Sequence, residues 1–363
     1  MTRQHRIAVV RHAIAMASVW VLLSHPSADA RTVAEIARLE SPDRQRLLEE
    51  GAKAEGKVLL YTSMVVQQAV EPIKKGFERK YPFLTVEFLR ANSAQLVQRV
   101  LAENRARSNQ SDVVVAGAGP ALAQTGFTQP FSSPALAAYP KNHVGPDGSY
   151  AATRFSYEGI GFNTRLVKAD EAPQSYQDLL DPKWRGKMVW SNSQETGAPF
   201  FITQMRQIMG EDKALIYLKA LSQQQIATQS ASLRSVLDQV ITGEYSIGIA
   251  MALHHIGISK AKGAPVDGTL PDPVLARADD IVLLKSAPHP YAGMLLVDFI
   301  LSEEGQKIFA DAQYFPAHSG VPPLPEMRNF IPRDRGKAES IIDDEVFDRE
   351  RARSTELFRQ YFQ

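Results

Sequence analysis

The chain of 363 residues contains no cysteine. It therefore forms no disulfide bond, and it offers no cysteine to which an N-terminal lipid anchor is attached. An exported protein without disulfides depends on a large hydrophobic core for its stability. We accordingly expect an extensive core and a protein that is not tethered to a membrane by lipid.

A strong charge of either sign is also missing. The formal net charge is +1, and acidic and basic residues are interspersed along the chain. Proteins that bind nucleic acids usually carry a markedly basic face or segment. The sequence therefore predicts no nucleic-acid partner.

Long apolar runs are absent, and one short run lies near the N-terminus. Arg3, Arg6 and Arg11 precede an apolar stretch at 13–23, and a small-residue cleavage site, Ala-Asp-Ala, follows at 28–30. This order is that of a secretory signal peptide. The apolar stretch is too short for a permanent membrane anchor. We therefore predict that residues 1–30 are a cleaved signal peptide and that the mature protein is periplasmic.

Several motifs of catalysis and cofactor binding are missing as well. The chain has no GxxxxGK[ST], HExxH, GxSxG or DxDxDG sequence. A glycine-rich stretch at 116–120 follows a strand, but Leu122 stands where the dinucleotide fingerprint needs its third glycine. We therefore expect no catalytic residues, no resident metal and no cofactor.

What the chain does have is a regular alternation of strand-like and helix-like segments. The segments at 57–63, 84–90 and 111–117 predict strands, and segments with helical periodicity separate them. The third of these strands is predicted to be buried on both faces because its apolar run is continuous. One of the helical segments is an amphipathic helix over 93–107, with Ser93 as its predicted N-cap. This β-α-β-α-β order is typical of a parallel-rich sheet flanked by helices.

Five stretches together carry a resemblance to a known family. They are YTS after the first strand, ANSAQLVQRV, GIGFNTRLV, DLLDPKWRGKMVWSN with the following Thr-Gly, and HPYAGMLLVDFILSEEGQ. In this order and spacing the chain resembles the periplasmic solute-binding proteins of ABC importers. It is most similar to the branch of ferric-ion-binding proteins and their relatives for organic anions such as sugar phosphates and phosphonates. The resemblance covers roughly residues 55–330.

The resemblance implies a type II periplasmic binding protein, an α/β fold of two lobes with the ligand cleft between them. We assign residues 31–154 and 271–363 to the first lobe and residues 155–270 to the second. It also implies that the protein closes around one solute and delivers it to a permease in the inner membrane whose energy comes from a separate ATPase. We expect a monomer.

Loops at the carboxyl ends of parallel strands line the crevice of such sheets. In the first lobe these loops carry Ser63, Asn92 and Ser93. In the second lobe Ser193, Thr196 and Gly197 precede a helix. Helix N-termini and hydroxyl groups together bind oxyanions. The sequence therefore predicts that these residues contact an anionic solute bearing a phosphate, phosphonate or carboxylate group.

Two adjacent histidines, His254 and His255, follow a strand at 243–251. In the ferric-binding relatives a pair of tyrosines at the corresponding place binds iron, and neutral imidazoles are poorer ligands for Fe(III). Adjacent side chains also diverge on a strand or a helix, so we do not predict a metal site here. We predict that at least one ring contacts the solute, the alternative being a loop histidine without a ligand.

The predicted function is thus the solute-binding component of an ABC importer for a small organic anion. Three alternatives remain open from the sequence. The first is a protein that binds ferric iron or a ferric complex. The second is an exported enzyme on the same scaffold, and the third is a sensory protein that presents its solute to a membrane receptor.

Overall fold

The computed structural model describes residues 31–192, 197–342 and 344–363, apart from the side chains of residues 344 and 345. The predicted signal peptide, residues 1–30, lies outside this range. Within it, no helix has the length and apolar character needed to cross a membrane.

The described residues contain eleven strands, most of them short. Their bounds are β1 Lys57–Thr62, β2 Thr85–Arg90, β3 Val113–Ala116, β4 Ala151–Asn163, β5 Met188–Ser191, β6 Ala227–Gln229, β7 Ile247–Ala252, β8 Val266–Thr269, β9 Val274–Leu283, β10 Phe315–Pro316 and β11 Glu339–Ile342.

Twelve α-helices accompany these strands in the described part of the chain. They are α1 Val33–Ala37, α2 Arg44–Glu55, α3 Glu71–Lys80, α4 Ser93–Arg105, α5 Gly119–Gln124, α6 Ala198–Met209, α7 Glu211–Ser222, α8 Leu233–Thr242, α9 Leu253–Ala261, α10 Pro290–Leu301, α11 Glu303–Asp311 and α12 Asp344–Phe362.

Two long strands, β4 and β9, connect the two halves of the sheet. The strand order is β2-β1-β3-β9-β4-β7-β5-β6, with β1 parallel to β2 and β3, and β5 parallel to β6 and β7. β9 runs antiparallel to both β3 and β4. One group of parallel strands thus lies on each side of the antiparallel crossover strands. This confirms the predicted α/β class and two-lobed architecture.

The predicted elements form where their patterns place them, with small shifts at the ends. β3 is buried along its whole length, as its continuous apolar run predicts. The N-cap of α4 is Asn92 and not Ser93. The Asn92 side chain accepts a hydrogen bond from the Gln95 backbone N–H at 2.8 Å, and the Gln95 side chain accepts in return from the Asn92 backbone N–H. Ser93 is therefore the first helical residue.

The C-terminal segment, residues 336–363, packs against parts of both predicted lobes. β11 pairs in parallel with β9. α12 packs against α6 and α7, and Phe347, Leu357 and Phe358 are buried in the same apolar cluster as aromatic residues of those helices. The assignment of lobe boundaries stays a prediction, but α12 makes its main contacts with the segment 155–270.

Candidate functional site

A cavity of about 270 Å³ lies where β1 and β2 end. Thr62 and Arg90 are paired at the last position of these two parallel strands, so the residues that follow each strand meet at one edge of the sheet. The crossover strand β9 and the helix α12 complete the walls. The lining residues are Ser63, Arg90, Asn92, Ser93, Ala94, Arg277, Phe347, Asp348 and Arg351. We call this space the arginine-lined cavity.

The first turn of α4 forms one wall of the arginine-lined cavity. Because Asn92 Oδ1 accepts from the Gln95 N–H, the amide oxygen of Asn92 is engaged in capping. Ser93 is buried at this helix start, and Ala94 is exposed. The N-terminus of a thirteen-residue helix carries a partial positive charge, which favours an anion beside it.

Ser63 is held by a chain of polar contacts that runs into the crossover strands. Its hydroxyl donates to Asp279 Oδ1 at 3.2 Å. The other oxygen of Asp279 pairs with Arg154 Nη1 at 2.6 Å, and the Arg154 guanidinium lies over the Tyr314 ring. Arg154 thus neutralises the Asp279 carboxylate, which contacts Ser63. The single hydroxyl proton of Ser63 is already engaged, so Ser63 must leave Asp279 before it donates to a solute.

Three arginines dominate the charge of the arginine-lined cavity. Arg90 is exposed at the end of β2. The Arg277 guanidinium lies 4.0 Å from the centre of the Phe200 ring and 5.1 Å from that of Phe347. Arg351 pairs with Asp348 at 2.7 Å. The described lining side chains therefore carry an excess of positive charge, and guanidinium groups match phosphate and carboxylate oxygens in planar, bidentate fashion.

Sequence reasoning missed all three arginines. Arg90 carries a signal that the strand-end rule detects, because it is the last residue of β2 and lies two positions before Asn92. Arg277 and Arg351 carry no such signal. One lies within a crossover strand and the other on a helix that reaches the cavity only through tertiary packing.

The structure brings three of the predicted site residues together. Ser63, Asn92 and Ser93 line the arginine-lined cavity. Ser193 and Thr196 lie outside the described residues. The ligand-binding role of all eight predicted residues stays a prediction.

Gly197 is the N-cap of α6 and has φ +78° and ψ −139°. A Cβ atom at this position would lie 2.2 Å from the backbone oxygen of Ser191. A side chain is therefore excluded here by the close approach of two backbone segments, which is a structural reason for this glycine.

His254 and His255 occupy the first turn of α9 and not a loop. Their ring centroids are 4.2 Å apart, so the prediction that adjacent rings diverge is wrong. The helix begins immediately after β7, and the two rings tilt toward each other at its start. Neither ring lines the arginine-lined cavity.

Both histidines are neutral at pH 7. Burial, the neighbouring His255 and the positive charge of Arg154 together lower the pKa of His254 to about 3. Burial, with Arg234, also lowers the pKa of His255, whose Nδ1 has no hydrogen-bond partner in the described part of the chain. Neutral rings add no positive charge to an anion site, so any solute contact they make is through a hydrogen bond.

A buried carboxyl group lies beside the cavity at the crossover. Glu158 on β4 is paired with Ala252 of β7 and Leu275 of β9, and its Oε2 has no hydrogen-bond partner among the described residues. Burial raises the pKa of Glu158 to about 7, and Arg277 opposes this shift. Among the described residues, no group of three or more histidine, aspartate or glutamate side chains has an arrangement that holds a metal ion.

Comparison with known proteins matches the chain to a family model and to a protein of similar sequence. A family model described as bacterial extracellular solute-binding protein matches residues 111–335, more than half of the chain. An uncharacterized protein of Haemophilus influenzae is 28% identical over 71% of this chain and 76% of its own length.

Two solved structures share the fold. Trichodesmium IdiA (FutA), in complex with iron and citrate, superposes with a TM-score of 0.70 at 21% identity, over 84% of this chain and 99% of that one. The periplasmic binding protein AfuA of Actinobacillus pleuropneumoniae, with exogenous fructose-6-phosphate bound, gives a TM-score of 0.60 at 24% identity, over 85% and 99%.

Proposed function

The chain belongs to the family of bacterial extracellular solute-binding proteins, and from this premise we propose that it captures a small anionic solute in the arginine-lined cavity. The family and the fold are those of transport proteins that bind small solutes for ABC importers and not those of enzymes. The family also implies delivery of the solute to an ABC permease and a location outside the cytoplasm.

The observation that carries the proposal is the convergence of Arg90, Arg277 and Arg351 on the first turn of α4. Three guanidinium groups and a helix N-terminus supply donors from several directions around one small volume. Hydrogen bonds to charged groups are worth about 1.5–3 kcal/mol each. An oxyanion is the ligand that suits this positively charged lining.

The size of the cavity favours a small solute. Its volume of about 270 Å³ is below the range of roughly 300–1,000 Å³ that is usual for drug-sized ligands. We propose an organic phosphate or phosphonate as the solute class, with a carboxylate as the next choice. The fructose-6-phosphate bound to AfuA supports this choice.

The second candidate solute is ferric iron or a ferric complex. It is favoured by the structure of Trichodesmium IdiA (FutA), which contains iron together with citrate. A ferric complex of an organic anion would present carboxylate oxygens to the same arginines. The two candidates therefore differ in whether iron is required for binding.

We propose that residues 1–30 direct export to the periplasm, as their charged start and apolar stretch suggest. We also propose that the protein acts as a monomer and binds no nucleic acid, since its formal net charge is only +1.

The first test is a thermal-shift screen of the purified protein. The panel contains fructose 6-phosphate, methylphosphonate, citrate, ferric ion and ferric citrate, each with and without a chelator. A solute at 100 times its dissociation constant should stabilise the protein by about 2.7 kcal/mol. We expect a shift with an organic phosphate or phosphonate that the chelator does not change. A shift that occurs only with iron and disappears with the chelator would replace the anion by the ferric candidate.

A matched pair of variants locates the site. Arg90→Ala removes an exposed arginine of the cavity, and Arg105→Ala removes an exposed arginine at the other end of α4. Both change the charge equally. We expect the first to weaken anion binding about tenfold and the second to leave it unchanged. Equal affinities for the two variants would place the solute elsewhere.

A further inference from the structure

The C-terminal segment, residues 336–363, begins where the match to the family model ends, at residue 335. In this chain the segment contains β11 and α12, and α12 supplies Phe347, Asp348 and Arg351 to the arginine-lined cavity. One wall of the cavity therefore comes from sequence beyond the matched region.

The start of this segment is fixed to the crossover strands. β11 pairs with β9 over residues 339–342. Glu339 accepts a hydrogen bond from Tyr157 Oη at 2.6 Å and pairs with His143 Nε2 at 3.0 Å. The side chains of both His143 and Glu339 are buried. This network holds the chain in place just before α12 begins.

α12 is fixed to the second group of parallel strands. Phe358 packs against Trp190 with ring centroids 6.0 Å apart. Ser354 and Thr203 share a buried hydrogen bond of 2.7 Å. α12 also touches α4 and α5 on the other side of the crossover strands. The helix thus spans the cleft as an integral part of the protein.

The cavity-facing residues lie on one side of the first turns of α12. Phe347 and Arg351 are four residues apart and therefore neighbours on the helix surface, and the Arg351 guanidinium lies 5.9 Å from the Phe347 ring centre. Phe347 in turn contacts Arg277. The three side chains are thus in contact through Phe347, and they line the same cavity as Ser63 and Arg90.

We propose that the C-terminal segment is a permanent wall of the solute site and that Arg351 is a specificity-determining residue that binds the anionic solute. The inference rests on the proposed function, since it assigns one further contact to the same anion. Arg351 is partly exposed and is paired with Asp348, so its guanidinium retains donors for a second partner. A bound oxyanion takes these donors, and Asp348 fixes the direction in which they point.

The experiment is isothermal titration of fructose 6-phosphate and of methylphosphonate into the full chain and three variants. Arg351→Ala removes the proposed contact, and Arg351→Lys keeps the charge but not the planar fork. Arg353→Ala is the control, because Arg353 lies on the same helix, pairs with Glu356 and Glu211 and does not line the cavity. We expect Arg351→Ala to raise the dissociation constant about tenfold or more, with Arg351→Lys between it and the wild type. Arg353→Ala should bind as the wild type does.

The possible outcomes separate this inference from the proposed function. If the wild type binds an anion and Arg351→Ala binds it equally well, the proposed function stands and the role of Arg351 is wrong. Tighter binding by Arg351→Ala would also overturn the inference, because it would mean that the α12 side chain obstructs the site. If the wild type binds neither anion, both proposals fail together. Melting temperatures without solute verify that each variant is folded.

Discussion

Replacing His254 with phenylalanine is expected to make the protein lose less stability in acid than the wild type does. The pKa of His254 in the folded protein is about 3, against an ordinary value of 6.5. Between these values the unfolded chain binds one proton more than the folded protein at this residue. The wild type therefore loses stability as the pH falls through this window, and the variant lacks that loss.

The size of the effect follows from the number of protons. One proton corresponds to about 1.4 kcal/mol per pH unit. Between pH 6.5 and about pH 4 the free energy of unfolding of His254→Phe should therefore fall by about 3 kcal/mol less than that of the wild type. The pKa of His255 is also lowered, so this residue makes both the wild type and the variant lose stability as the pH falls.

The measurement is urea unfolding of wild type and variant across this pH range. The slopes with pH are compared, so a constant packing effect of the substitution does not matter. His289→Gln is the control. The hydrogen bond to Asp112 raises the pKa of His289 above its ordinary value of 6.5. The stabilisation from this residue is therefore complete below pH 6.5 and is lost only as the pH rises above that value. Its replacement should leave the slope below pH 6.5 unchanged. Parallel profiles of His254→Phe and wild type would contradict a neutral His254.

The fold was predictable from the sequence because its signals are local. The buried run of β3 and the alternation of strands and helices predict a parallel-rich sheet. Ser63, Asn92 and Ser93 follow strands that pair in parallel, so their meeting at one edge was predictable too. These inferences need only the period of the apolar residues and the rule for strand ends.

The rest of the site depends on long-range packing. Arg277 and Arg351 are 74 positions apart, and they meet at Phe347 only because α12 folds back onto α6. The charged pattern of the C-terminus predicts a helix, but it does not indicate which surface the helix covers. The close approach of the His254 and His255 rings likewise depends on how α9 leaves β7 and not on sequence spacing.

Replacing Glu158 with glutamine is expected to stabilise the protein at alkaline pH. The pKa of Glu158 in the folded protein is about 7 because the group is buried, and Arg277 only partly offsets this burial. Its ordinary value is 4.5. Between these values the folded protein binds one proton more than the unfolded chain. The wild type therefore loses stability as the pH rises from 4.5 to 7, by about 3 kcal/mol in total.

Glutamine keeps the shape of the protonated side chain and does not ionise. At pH 8 the Glu158→Gln protein should exceed the wild type in unfolding free energy by about 3 kcal/mol, and at about pH 4 the two should be equal. Between pH 4.5 and 6.5 the contributions of Glu158 and His254 have opposite signs and offset each other in the wild type. In Glu158→Gln the free energy of unfolding should therefore rise with pH because of His254. In His254→Phe it should fall with pH because of Glu158.

The double variant His254→Phe with Glu158→Gln provides the internal control. It removes both slopes, so its profile between pH 4.5 and 6.5 should be parallel to that of the wild type, whereas the two single variants diverge from it in opposite directions. A Glu158→Gln protein that gains nothing at pH 8 would show that Glu158 ionises in the fold at its ordinary pKa. Glu158 lies on β4 between β7 and β9. In that case its side chain would be negatively charged at pH 7, and this charge would act on Arg277 beside the solute.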